Sequence, residues 1–399
     1  VSTARLHHLD ALRAFAMLLG IVLHAGLAYT GGPWIVRDAG SVGLGVAVGA
    51  IHGFRMQLFF LLSGFFTAML WRRRGLGAML RQRAERIALP LLLGLVTIVP
   101  VVWAVVSWAA AAQGSWDGQV DGQGDRPRPV LVLLWFLFRF PLFHHLWFLW
   151  FLCWMVAGMA LVIACYPASV GTRVRDWLAR GNGGAGRWIA STRALLWLVP
   201  LTVLTHVLMA STREGPDFGA NTSTGLLPLP GVLAHYALFF AFGAVLEQVP
   251  DGLARFSRRW SLALPLAIAL VPVGLSFSFD APWTRSVAPA PALHAVISWT
   301  LHALYAWSAC IAAIGLFGRL LPAENRVARY LADSSYWLYL AHLPLVVAGQ
   351  VLLLQAPWPP LVKCAVLLVS ATALLLASYA VAVRNTVVGR ILNGPRVPR

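Results

Sequence analysis

"RLHHLDALRAFAMLLGIVLHAGLAYT", residues 5–30, decides between a soluble and a membrane fold. From Leu9 onward it is apolar over a length that crosses a bilayer, yet Asp10, Arg13 and His24 interrupt it. Each of these costs a few kcal/mol where it faces hydrocarbon. A helix that keeps them must turn them toward other protein or toward a wet cavity.

The rest of the chain agrees on the solvent. Of its 399 residues 59% are hydrophobic, only 11% are charged and 18 are tryptophan, the composition of a polytopic membrane protein and not of a soluble domain. Ten apolar runs have spanning length: 9–30, 50–71, 87–112, 144–166, 194–211, 231–248, 261–279, 292–316, 333–353 and 361–384. The predicted fold class is therefore an all-α polytopic membrane protein, a bundle of about ten transmembrane helices forming one integral-membrane domain over residues 1–399. An even count puts both termini on one side. Of the 31 Lys and Arg residues, 22 fall in the tails and loops of that side and six in the opposite loops, with Arg13, Arg55 and Lys363 in or at the edge of helices. The positive-inside rule then makes both termini cytoplasmic. The net charge of +17 is mostly topogenic, so membrane lipids are expected partners and nucleic acid is not.

Other signals are quiet. Cys153, Cys165, Cys310 and Cys364 all lie within predicted spans, which suggests neither a disulfide framework nor a metal site. The first run has a basic flank, but it is long, broken by polar groups and followed by nine more, so it reads as an uncleaved span. Neither an internal repeat nor a pair of broken helices points to a repeat-built transporter. The loops at 113–143 and 212–230, rich in Gly, Asp and Pro, are expected to face outward with no appended soluble domain.

Arg13 and His24 are eleven residues apart, which is three helical turns plus about 20°, so they share one face roughly 16 Å apart. Asp10 and Met17 join that stripe. His24 lies about 9 Å inside the outer end of the first span, and Arg55, in "HGFRMQLFFLLSGFF", about 8 Å inside the outer end of the second. Two ionisable groups on adjacent helices therefore share a level. His145, in "FHHLWFLWF", enters the fourth span from the same side, and His342, in "SSYWLYLAHLPL", lies nearer the midplane just before Pro344. Taken singly, each histidine reads as an interhelical hydrogen-bond donor; together they read as a site. All 14 Asp and Glu residues fall in loops or at helix ends, so a buried general base has to be histidine.

On the cytoplasmic side, the loop expected from Trp71 to Ile87 holds six arginines. Arg83 and Arg86, three apart, could hold phosphates with forked guanidinium groups, whereas the remaining density is ordinary topogenic charge.

Arg13 and His24 with ten residues between them, "FFLLSGFF", Arg83 and Arg86 before Ile87 and Pro90, and "YLAHLPL" late in the chain together resemble the membrane-bound acyltransferase 3 family, over residues 10 to 350. "HGFRMQLFFLLSGFF" and "HHLWFLWF" look most like its glucan-biosynthesis subgroup. The resemblance implies a multi-pass enzyme of the bacterial inner membrane that moves succinyl groups from a cytoplasmic donor, an acyl-CoA, to osmoregulated periplasmic glucans, with no tightly bound cofactor and no metal. It also implies that His24 is the essential histidine with Arg13 as its partner; Asp10, on the same stripe, is taken with them as a catalytic residue, and His24 would act as general base or as transient acyl carrier. Arg83 with Arg86 would be the donor-binding motif, and Asp38 is the one acidic residue available in the first outer loop. Arg55, His145, Trp147 and His342 are expected to line the acyl and acceptor pocket, with Trp150 near its mouth. The competing reading is a transporter or flippase for an anionic solute, with arginines as binding sites and histidines as proton couplers.

Overall fold

A computed structural model describes residues 7–114, 129–165, 185–210, 218–321, 323 and 325–393. Every regular element among them is helical. The long ones are α1 (His7–Leu27), α2 (Val42–Arg83), α3 (Leu89–Ala112), α4 (Pro129–Phe138), α5 (Trp147–Cys165), α6 (Leu195–Met209), α7 (Pro230–Gln248), α8 (Trp260–Ser278), α9 (Pro291–Leu320), α10 (Arg326–Leu353) and α11 (Pro360–Ser378), and a short α12 (Val387–Asn393) follows. Proline opens several of them, at Pro90, Pro230, Pro291 and Pro360, where its missing N–H costs nothing because the first turn has no intrahelical partner.

Nine helical stretches among the described residues are long and apolar enough to cross a membrane. The longest, Val42–Ala112, contains two of the ten expected runs, 50–71 and 87–112. The expected loop from Trp71 to Ile87 is a correction: α2 continues through it, broken only at Gly75 with φ 81° and ψ 174°, and a π-helical turn at Ala84–Ala88 leads directly into α3. Its Arg, Leu, Met and Gln residues are good helix formers, and the charge density concealed that. The expected loop at 113–143 likewise includes α4, while its residues 115–128 lie outside the described residues, as do most of 168–193 and the last six residues.

The span limits move as well. α1 ends at Leu27, where Tyr29 N–H turns back to Gly26 C=O, so His24 sits in its last turn. α2 starts at Val42, capped by the Ser41 hydroxyl, because the apolar "VGLGVAVG" is helical although its three glycines, poor helix formers, left it outside the expected run.

α2 and α7 form the tightest crossing. A Cβ at Gly64 would collide with the Phe240 carbonyl, and one at Gly243 with the Leu61 carbonyl, so glycine on both sides lets the backbones touch. Around that crossing Phe60, Phe151, Tyr236, Phe239 and Trp307 are fully buried. At one end Arg72 donates to Glu247 at 2.7 Å. α1 lies between α2, α9 and α10 at the centre of the bundle, whereas α3 and α11 present apolar side chains such as Val96 and Val369 outward, as lipid-facing helices do.

Candidate active site

The site begins with an absent side chain. Gly20 lies one turn before His24 on α1, and a Cβ there would strike Nη1 of Arg55. Glycine thus leaves room for the guanidinium to pass from α2 against α1, just below the His24 ring. His24 itself is half-buried and within electrostatic reach of His342, Arg55, His145 and His52.

α10 supplies the next ring. His342 stacks at a tilt against His24 with centroids 5.1 Å apart, and His145 meets His342 edge-on at 5.2 Å. Pro344 explains how His145 is held. Lacking an N–H, it leaves the Leu340 carbonyl without its helical donor, and His145 Nε2 fills that vacancy at 3.0 Å. The Tyr339 hydroxyl donates to the His145 carbonyl at 2.8 Å, fixing the short turn His144–Leu146 that precedes α5. His342 Nδ1 lies 2.7 Å from the Tyr339 carbonyl and 3.1 Å from that of Leu338. Four buried polar atoms then remain without a protein partner: His24 Nδ1, His145 Nδ1, His342 Nε2 and Arg55 Nε. Such atoms are expensive when nothing answers them, so their convergence marks a place prepared for a polar ligand.

Trp34 closes one side of His24, with ring centroids 5.4 Å apart. Gln350 ties three elements together, accepting from Trp34 Nε1 at 3.0 Å and donating to the His24 carbonyl at 2.8 Å, one of the end carbonyls that a terminating helix leaves free. The loop that carries Trp34 is fastened by Asp38, whose carboxylate accepts from Lys363 Nζ at 2.8 Å. Asp38 therefore serves the loop and does not touch His24.

The opposite end of α1 carries Arg13, half-exposed, 3.8 Å from Asp10 and with its guanidinium 5.6 Å from the Phe66 ring centroid. Asp10 and Arg13 are thus together but remote from His24. Arg83 lies within electrostatic reach of Arg13 and has a buried Nε without a partner. Two cations within reach of each other, one of them incompletely bonded, suit an anion. Arg86 is more committed, donating from Nη1 to the Ile391 carbonyl of α12 at 3.0 Å. The Tyr336 hydroxyl donates to the Arg86 carbonyl at 2.7 Å. Tyr336, Tyr339 and His342 fall at successive i, i+3 positions, so one face of α10 runs polar from the arginines to His24, about 9 Å by helical rise.

Trp147 stands elsewhere than expected. It packs in the aromatic core against Phe60, Phe151 and Tyr236, and Trp150 donates to the Leu226 carbonyl. Tyr336, Tyr339, Trp34 and Gln350 escaped the sequence reading. The spacing of the two tyrosines before His342 was the available signal for that pair. A second polar cluster lies across α2, where His302 bonds the Gly53 carbonyl and His206, and His235 bonds Thr205 and Gln57. Among the described residues no group of three His, Cys, Asp or Glu is disposed to hold a metal ion.

These features define a multi-pass helical membrane protein with an imidazole–guanidinium centre buried between its spans. Residues 6–382 match the family Acyl_transf_3, described as an acyltransferase domain, and the chain belongs to that family. It is similar to the Glucans biosynthesis protein C of Escherichia coli O6:K15:H31 (strain 536 / UPEC), at 26% identity over 366 residues, covering 86% of this chain and 83% of that protein. The protein of the same name from Escherichia coli (strain K12) matches with the same identity and coverage. No solved structure matches.

Proposed function

We propose that the protein transfers an acyl group, succinyl in the first instance, from a cytoplasmic coenzyme A thioester to a hydroxyl of a periplasmic glucan or other envelope carbohydrate, working in the inner membrane with both termini in the cytoplasm. The observation that carries this reading is the convergence of His24, His145, His342 and Arg55, each of which keeps one buried polar atom without a protein partner. A saccharide hydroxyl and a polar acyl group are ligands of the matching kind.

In this reading the donor's phosphates rest on Arg83, with Arg13 and Arg86 beside it, and the thioester arm follows the face of α1 from Arg13 past Met17 and Gly20 toward His24. Arg55 reads the far carboxylate of a succinyl group, which a low-dielectric site admits only against a cation. His24 takes the proton of the attacking hydroxyl and returns it to the departing sulfur. The acceptor enters from the Trp34 side. Membership of the acyltransferase family and similarity to proteins named for glucan biosynthesis support the reaction class and the acceptor class.

Purified protein in proteoliposomes, given acyl-labelled donor and glucan, is expected to yield labelled glucan. His24→Ala is expected to lower turnover by about 10²-fold or more, the usual contribution of a general base. Movement of donor or solute without covalent change would instead indicate a transporter.

A further inference from the structure

A histidine that acts as a base needs a group that fixes which ring nitrogen carries its proton, and in many nucleophile–base arrangements a carboxylate does this. No carboxylate among the described residues partners His24: Asp38 is held by Lys363, and Asp10 sits with Arg13 at the other end of α1. An imidazole occupies the corresponding place.

The tautomers of the neighbouring rings follow from their hydrogen bonds. A carbonyl oxygen only accepts, so His342 Nδ1, lying 2.7 Å and 3.1 Å from two carbonyls, carries a hydrogen, and in the neutral ring Nε2 is a bare lone pair. By the same reasoning His145 donates from Nε2 to the Leu340 carbonyl and is bare at Nδ1. His342 Nε2 and His24 Nδ1 are both buried without a partner, on rings whose centroids are 5.1 Å apart at an interplanar angle of 42°. At that separation modest rotation of the His24 side chain alone brings its Nδ1 to the fixed His342 Nε2. A neutral His24 has one N–H to place, and His342 offers a lone pair whose direction two backbone carbonyls have already fixed. The accessible surface that His24 retains then belongs to the rest of its ring, where Nε2 is free to meet a substrate.

We propose that His342 is the positioning residue for His24, accepting the Nδ1–H of His24 on its Nε2 and so presenting a bare His24 Nε2 to the acceptor hydroxyl. In turnover the hydroxyl proton passes to His24 Nε2, the oxygen electron pair forms the ester C–O bond, and the thioester C–S bond breaks. Coenzyme A leaves as a thiolate and takes the proton back from His24. His342 exchanges no atom; it holds the Nδ1–H throughout and shares the transient positive charge. Pro344 contributes at one remove, since the carbonyl it frees holds His145 against the far side of the His342 ring.

The inference rests on the acyl-transfer reading for its catalytic meaning but has a readout of its own. In ¹⁵N-histidine-labelled protein in lipid vesicles, with the His24 signals identified by their loss in His24→Gln, His24 is expected to be protonated at Nδ1 and bare at Nε2, and His342→Leu is expected to shift that proton toward Nε2. In the transfer assay His342→Leu should lower kcat by about 10²-fold with the donor KM unchanged. His342→Gln, whose side-chain carbonyl still accepts a hydrogen bond, should return to within about tenfold of wild type. A His24 protonated at Nε2 in the wild type overturns the proposal, as do equal losses in the Leu and Gln variants with an unchanged His24 tautomer. Wild-type protein that keeps the Nδ1 proton yet transfers no acyl group overturns the acyl-transfer reading and leaves the His24–His342 hydrogen bond standing.

Discussion

Arg55 comes within electrostatic reach of His24 because position 20 has no side chain, which separates fold from specificity at the scale of one residue. A Cβ at Gly20 meets the far end of a flexible arginine, not backbone, so Gly20→Ala is accommodated by moving the guanidinium while the helices stay in place. If Arg55 reads the succinyl carboxylate, Gly20→Ala and Arg55→Leu should fail in the same way. Each loses succinyl transfer and keeps acetyl transfer, Arg55→Leu by about 10²-fold because a paired buried carboxylate is left without its cation, and Gly20→Ala by less. Parallel turnover measurements with succinyl and acetyl donors check this. Equal loss with both donors makes Arg55 a general catalytic group and removes the selectivity argument.

At the scale of elements, the turn joining α2 to α3 separates two arginines that the sequence presents as equals. Arg83 has an unanswered buried Nε beside Arg13, whereas Arg86 already spends Nη1 on the Ile391 carbonyl. Arg83→Gln should therefore raise the donor KM at least tenfold, from the roughly 1.5 to 3 kcal/mol of a charged hydrogen bond, and Arg86→Gln should raise it less while loosening α12. Donor titrations of the two single variants, with limited proteolysis after residue 383, distinguish these effects. A second element-scale test concerns the short helix Pro282–Val287, where Asp280 accepts from Arg285 through two hydrogen bonds of 2.6 Å and its carboxyl is held below the usual range by them. A folded pKa lower than the unfolded one gives stability that is present above about 3.9 and is lost as pH falls through the depressed value. This clasp should stay closed through mild acid and open only below it, and Arg285→Gln should move the opening upward; hydrogen exchange of residues 280–287 against pH reads both. Both groups are solvent-exposed, so the change is local opening and not loss of the fold. What the sequence revealed at this scale follows from the same physics. Long apolar runs betray helices because hydrocarbon demands them, and among the described residues each of the ten overlaps a helix. Residues 42–49 and 71–87 stayed hidden because repeated glycine disfavours helix and arginine density imitates a loop, and neither prevents a helix here. The polar stripe of α1 was legible from period alone. Gln350 was not, since its partner Trp34 is 316 residues away and nothing local records that contact.

At the scale of the whole molecule the two polar stripes, Arg13–His24 on α1 and Tyr336–His342 on α10, lie on packed neighbours and lead from the Arg83 end of the bundle to the loop fastened by Asp38 and Lys363. Exposed Leu and Val on the outside of α3, α8 and α11 suit a hydrocarbon surround. Under the proposed function, this arrangement would let donor and acceptor act from different compartments. A highly charged nucleotide thioester and a glucan, neither of which crosses lipid, would then each reach His24 from its own face. The prediction is directional. In vesicles with uniformly oriented protein, turnover should occur when donor is supplied to the face bearing Arg83 and glucan to the face bearing Asp38, and it should fall to background when the two are exchanged. Orientation is read independently by protease access to the α12 end of the chain. Equal turnover in both arrangements would show that both substrates approach from one side, and the stripe between Arg83 and His24 would then be a structural seam between helices and not the donor's path.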